Sequence, residues 1–143
     1  MNFVLDASVT MSWLLADAKS TDRRYAASVL DSIAQPDIAA VVPVTWGLEV
    51  GNVIARAEAK AVVTEAQSEA FMEMLAGIRI SPDPTTFRHS LVETLNLARR
   101  YRLSSYDASY LELALRVGLP LATLDVDLLK AAKKAGVKRF SGA

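Results

Sequence analysis

The chain has 143 residues and a mass of 15.5 kDa, with 52% hydrophobic and 22% charged residues, which fits one globular domain and excludes a disordered or collagen-like chain. It holds no cysteine and a single histidine, which excludes a thiolate nucleophile, a cysteine-ligated zinc or iron–sulfur centre and any site built from several imidazoles. Lys+Arg and Asp+Glu stand at 16 each, a formal net charge of zero that at face value argues against a nucleic-acid partner.

Asn2–Leu5 is a short apolar run that predicts a buried strand ending at Asp6. Asp6 or Ser8 can cap a helix over Val9–Ala16, and Ser20 or Thr21 a second helix bounded by Pro36. Ile38–Val42 predicts a second strand, stopped by Pro43. Thr45–Lys60 reads as a helix despite Gly47 and Gly51. Thr64–Ala76 reads as another, with Thr64 and Gln67 spaced for a capping box. Ile78–Ile80 is a short strand. Pro84–Arg102 is the clearest helix, with Phe87, Leu91, Leu95 and Ala98 on one apolar stripe. Ser104 or Ser105 can cap the helix Tyr106–Val117, which Gly118 closes. Leu119–Leu124 is a strand, Val126–Ala135 a helix ended by Gly136, and Val137–Phe140 a last strand. Trp13, Trp46, Phe71 and Phe87 are expected in the core, and His89 and Arg56 on the surface.

Short continuous apolar strands alternating with helices predict an α/β domain over residues 1–143, with a mostly parallel sheet of four to five strands covered by helices on both faces. No apolar run reaches the ~18 residues that span a bilayer. The apolar start has no basic segment and is interrupted by Asp6, so neither export nor membrane insertion is expected.

In open parallel sheets, sites form outside the carboxyl ends of the strands. Asp6 closes the first strand, Asp125 follows the strand at Leu119–Leu124, and Asp127 lies two residues on. Asp107 stands in a first helical turn, and Glu49 lies inside an apolar helix beside Trp46, Asn52 and Val53. Carboxylates gathered on one rim repel one another. A hard divalent cation such as Mg²⁺, which takes oxygen ligands, relieves that repulsion and needs no His or Cys. Each acid also has a plainer role. Asp6, Asp125 and Asp127 can cap helices, Asp107 can favour a helix dipole, and Glu49 can be a solvated helix residue.

Four blocks of the chain together resemble PIN-domain ribonucleases, and the VapC toxins of bacterial and archaeal toxin–antitoxin pairs in particular. They are Val4-Leu5-Asp6-Ala7-Ser8-Val9, then Pro43 to Val53 around Glu49, then Leu103-Ser104-Ser105-Tyr106-Asp107-Ala108-Ser109-Tyr110-Leu111, then Leu121-Ala122-Thr123-Leu124-Asp125. They come in the family's order and span nearly the whole chain, the Tyr-Asp-Ala block being the most distinctive. The resemblance implies a metal-dependent endoribonuclease that cleaves RNA with a metal-activated water. Asp6, Glu49, Asp107 and Asp125 match the family's acidic quartet, which holds one or two Mg²⁺ or Mn²⁺ ions. Asp127 matches a less regular metal-binding position, and Ser8, Thr123 and Asn52 match supporting ones. Gly47 and Gly51 depart from the bulkier residues of family helices, at about 1 kcal/mol each relative to Ala. The resemblance further implies a cytoplasmic homodimer, with RNA as substrate and a small VapB-like antitoxin as partner.

Two other readings compete. Asp6-Ala7-Ser8-Val9-Thr10 resembles the nucleophile motif of haloacid-dehalogenase-like phosphotransferases, but Ser8 stands where that motif needs a second Asp. A PIN scaffold can also serve as a binding module without catalysis. The neutral total hides an asymmetry: residues 1–83 hold 6 basic and 11 acidic residues, a net of −5, while residues 84–143 hold 10 basic and 5 acidic, a net of +5. Phosphate contact needs a local basic patch rather than a basic total, so neutrality does not exclude RNA.

Overall fold

A computed structural model describes residues 2–15 and 19–142. In chain order the elements are β1 (Phe3–Leu5), α1 (Ala7–Ser12), α2 (Ser20–Ile33), β2 (Ala40–Val42), α3 (Trp46–Ala59), α4 (Glu65–Ala76), β3 (Ile80–Pro82), α5 (Thr86–Ser90), α6 (Glu93–Tyr101), α7 (Ser105–Val117), β4 (Leu121–Ala122) and α8 (Val126–Ala135). The four strands form one sheet in the order β3-β2-β1-β4. All pairings are parallel, with Val4 opposite both Val41 and Leu121. Pro82 ends an edge strand, where its missing N–H costs no ladder bond.

Side chains alternate across β1. Phe3 and Leu5 join Ala26, Val29 and Ile33 of α2 on one face. Val4 joins Tyr110, Leu111, Leu113 and Ala114 of α7 and Leu128, Ala131 and Ala132 of α8 on the other. All three β1 residues are fully buried, which is why this strand reads as an unbroken apolar run. A third cluster packs Ala7 and Met11 of α1 on Val50 and Ile54 of α3 and on Phe71 of α4. The capping box of α4 is present, with Thr64 Oγ1 accepting from Gln67 N at 3.1 Å and Gln67 Oε1 accepting from Thr64 N at 2.8 Å. Gly118 and Gly136 close α7 and α8 in the left-handed conformation.

Several expectations are corrected. The helix expected over Pro84–Arg102 is two helices, broken at Val92 (φ −121, ψ −94). The Ser90 hydroxyl takes the Phe87 carbonyl at 2.6 Å, a local bond that competes with the helix ladder. The break turns Thr94, Leu97 and Tyr101 inward and leaves the first half of the expected stripe in solvent. Phe87 is 86% exposed and Leu91 77%, so Phe87 is not a core residue. Trp13 and Trp46 are only partly buried against the core, whereas Phe71 is buried as expected. The first helix starts two residues earlier than expected, at Ala7, and runs to Ser12; its expected end at Ala16 lies outside the described residues. Ser104, not Ser105, caps α7. The last expected strand is reduced to a single parallel bridge between Arg139 and Leu121. Phe140 nonetheless donates to Leu121 O at 2.9 Å and stacks its ring on Phe3 at 4.0 Å. His89 lies at the surface as expected, partly exposed, and contacts Glu93 Oε1 through Nδ1.

Candidate active site

Because every strand is parallel, all carboxyl ends meet at one edge of the sheet. Asp6 leaves the end of the central strand β1. Asp125 follows the neighbouring β4 and begins α8, Glu49 sits in the first turn of α3 beyond β2, and Asp107 in the first turn of α7.

Asp6 is 3% exposed. It occupies the N-cap position of α1, yet its side chain makes no capping bond. Its Oδ2 instead accepts from Ser8 Oγ and from Thr123 Oγ1, each at 2.6 Å. Both hydroxyls are themselves anchored. Ser8 Oγ accepts from Leu124 N and Thr123 Oγ1 from Asp125 N, each at 3.0 Å. With their protons committed to Asp6, the two hydroxyls tie the ends of β1 and β4 together and fix the carboxyl plane. Burial pushes the Asp6 carboxyl above its ordinary range; the two hydroxyls oppose that, and the charge of Asp125 adds to it.

Glu49 Oε1 accepts from the buried Tyr110 hydroxyl at 2.9 Å. Burial pushes Glu49 up to about 7; the Tyr110 bond works against this, and the charges of Asp6 and Asp107 add to it. Asp107 is raised to about 6, chiefly by burial and then by the charges of Asp125 and Asp6, with a smaller contribution from Asp127. Tyr110 itself is pushed up by burial and by the neighbouring Asp6 and Glu49 charges. Asp6, Glu49 and Asp107 thus feel a neighbouring acid's charge, and the charge of Asp125 reaches Asp6 and Asp107. Asp125 also keeps its plainer role, since its Oδ1 accepts from Leu128 N at 2.8 Å and caps α8. Asp127 lies exposed at the margin. Asn52 and Arg56 are exposed on α3, and among the described residues neither hydrogen-bonds to the acids.

Sequence reasoning missed the role of Tyr110. It lies three residues after Asp107 and so on the same side of α7, but its partner is 61 residues away in sequence, and no spacing rule reaches that far. It also missed a second polar cluster. Arg116 bonds Asp83 Oδ2 at 2.6 Å and Glu112 Oε2 at 2.8 Å, and Thr85 and Thr86 also donate to Asp83.

Among the described residues, no three acids are gathered into a ready coordination cage. A small hard cation does not need one, since Mg²⁺ is usually held by one or two carboxylates with water and substrate phosphate supplying the rest. The donors are all oxygens, and burial with neighbouring charge raises the cost of ionising Asp6, Glu49 and Asp107, which a divalent cation offsets. The donor set therefore fits such an ion. The same arrangement suits a nucleophilic Asp6 poorly, because Ser8 donates to Asp6 where a general acid is needed.

A model of the PIN domain family matches residues 3–134. The crystal structure of PAE2754 from Pyrobaculum aerophilum is similar to this chain over 97% of its length and 83% of that protein's, with a TM-score of 0.66 and 24% identity, a likeness of fold. A comparison with curated proteins finds no match.

Proposed function

As the chain belongs to the PIN domain family, whose members are generally metal-dependent nucleases, we propose that it is an Mg²⁺- or Mn²⁺-dependent endoribonuclease and the toxin of a VapBC pair. What supports the nuclease reading is the position of Asp6 and Asp125 at the carboxyl ends of adjacent parallel strands, with the carboxyls of Asp6, Glu49 and Asp107 raised chiefly by burial and further by one another's or Asp125's charge. Those four acids, with Asp127 at the margin, hold one or two cations. A bound divalent cation polarises a phosphoryl oxygen and lowers the pKa of a water.

The protein's own groups do the positioning. Ser8 and Thr123 hold the Asp6 carboxyl in one orientation, and Tyr110 holds that of Glu49. The cap at Asp125 fixes the start of α8. The toxin reading rests on the four sequence blocks around these acids. It carries with it a homodimer, a cytoplasmic site of action and a small VapB-like antitoxin that covers the acids.

Purified protein is expected to cut single-stranded RNA in Mg²⁺ and to stop in excess EDTA. Asp6→Asn is expected to lose cleavage while keeping the circular dichroism of the folded protein. Undiminished cleavage by Asp6→Asn, or in EDTA, refutes the nuclease and leaves a binding module. Induction in a bacterial host is expected to arrest growth, with a co-encoded small protein restoring it; harmless expression of an active enzyme refutes the toxin role. Sequencing the 5′ ends of RNA cut after brief induction identifies the target.

A further inference from the structure

Beside the acidic edge lies an open cleft of about 470 Å³ lined by Arg100, Tyr101, Arg102, Lys130 and Lys134, and also by the carboxylate of Asp127. Asp127, Lys130 and Lys134 are spaced three and four residues apart, so they share one face of α8. Arg100 and Arg102 come from the end of α6 and the residue just past it. Asp127 is also felt by Asp107, so the cleft and the acids share a border. Among the described residues, none of these four cations takes part in an ion pair, and all four are exposed.

Helix-end electrostatics account for part of this charge, since cations favour a helix C-terminus. That explains Arg100 and Lys134 but not Lys130 in the middle of α8. It also favours a cation at Arg102, the C-cap of α6, which is held at φ 55, ψ 46. The chain places glycine at the equivalent left-handed positions after α7 and α8, the residue that meets no Cβ penalty there. After α6 the left-handed position holds Arg102, as Ala61 (φ 57) does just past α3, and of these two non-glycine residues Arg102 lines the cleft. Four cations against one carboxylate on two adjoining helices, alongside the half-buried Tyr101 ring with the Arg100 guanidinium over it at 5.7 Å, match the backbone of a single strand.

We propose that this cleft binds successive phosphates of the RNA strand flanking the bond to be cut, with Arg102, Lys130 and Lys134 as phosphate contacts outside the acidic centre. The proposal rests on the nuclease reading.

Binding of a mixed-sequence single-stranded RNA oligonucleotide, titrated in EDTA at several salt concentrations, tests it together with cleavage kinetics in Mg²⁺. Each lost phosphate contact is expected to flatten the slope of log K against log salt by about 0.7. Arg102→Gly is expected to show that change, with KM raised, kcat nearly unchanged and a melting temperature equal to or above that of the parent. Lys130→Ala/Lys134→Ala is expected to flatten the slope by about twice as much, while Lys60→Ala, at the far end of α3, leaves it unchanged. Three results overturn the inference while sparing the nuclease: wild type cuts RNA but the cleft variants match it in slope and KM; Arg102→Gly loses stability and kcat instead; or polyglutamate binds as tightly as RNA with the same dependence on Arg102, which points to an acidic protein. A wild-type protein that neither binds nor cuts RNA overturns both readings.

Discussion

Asp6 is held by hydroxyls rather than used as a cap. A carboxylate at 3% exposure has lost its water, and the two bonds from Ser8 and Thr123 offset that cost. Hydrogen bonds to charged groups contribute about 1.5–3 kcal/mol. Ser8→Ala and Thr123→Val are each expected to destabilise the protein by an amount in that range near neutral pH. Because the two donors share Oδ2, their effects should be non-additive in a double-mutant cycle read by urea unfolding. Glu49 differs, as its single described side-chain donor is the Tyr110 hydroxyl, which lowers a carboxyl that burial has pushed up to about 7. Tyr110→Phe keeps the ring and removes the donor. Glu49 should then hold its proton to higher pH, and the acidic limb of the pH–rate profile should move in the alkaline direction. An unmoved profile would make Tyr110 a packing residue only.

At the scale of elements, the broken helix and the Arg116 cluster belong together. Arg116 of α7 reaches Asp83 and Glu112, each 6% exposed at the side chain, while Thr85 and Thr86 at the start of α5 also bond Asp83. This pins α5 where it begins, and the turn at Val92 then lets α6 rotate Thr94 and Leu97 inward. Removing one partner of a buried pair leaves a charge uncompensated. Arg116→Ala is therefore expected to lower stability by about 3 kcal/mol, by leaving the carboxylates of Asp83 and Glu112 without their cation. Burial raises the Asp83 carboxyl, but Arg116, Thr85 and Thr86 together bring it below its ordinary value. Its contribution is thus present above pH 3.8 and lost as pH falls through the lowered value. Phe71 and Phe87 make a second comparison. Phe71→Ala should cost about 3–5 kcal/mol, whereas Phe87→Ser, at 86% exposure, should stay within about 0.5 kcal/mol.

The same contrast explains what could be read beforehand. Phe3–Leu5, the Thr64 cap and the terminal Gly118 and Gly136 are local signals, and each lies where its local chemistry indicates. The apolar stripe through Phe87 and Leu91 is just as regular, yet it faces solvent. The orientation of α5 and α6 is decided by Asp83 and Arg116, 33 residues apart, and by the burial of Thr94. Asp6 and Asp125 were legible at strand ends, and Asp107 at a helix start. Their shared neighbourhood depends on the order β3-β2-β1-β4, which no single segment encodes.

For the whole molecule, the acidic edge makes stability depend on pH and on metal in opposite senses. Glu49 rises from 4.5 to about 7 on folding, Asp107 from 3.8 to about 6, and Asp6 upward as well. A raised folded-state value means the folded protein holds the proton more tightly than the unfolded chain. These groups therefore favour the fold fully below their unfolded values, and that contribution is lost as pH rises through about 6 and 7. In EDTA, the melting temperature is expected to fall between pH 5.5 and pH 8, against the trend of Asp83, which is already fully ionised there. A bound cation requires the ionised acids, so its affinity grows over the same interval. Mg²⁺ at 100 times its Kd stabilises by about 2.7 kcal/mol, which for a chain of this size is roughly 8 °C. The gain should be large at pH 8 and small at pH 5.5, so that Mg²⁺ flattens the decline seen in EDTA. Asp6→Asn, with one charge fewer at the centre, should decline less in EDTA and gain less from Mg²⁺. Equal Mg²⁺ gains at both pH values, or equal gains in the variant, would place the cation away from these acids.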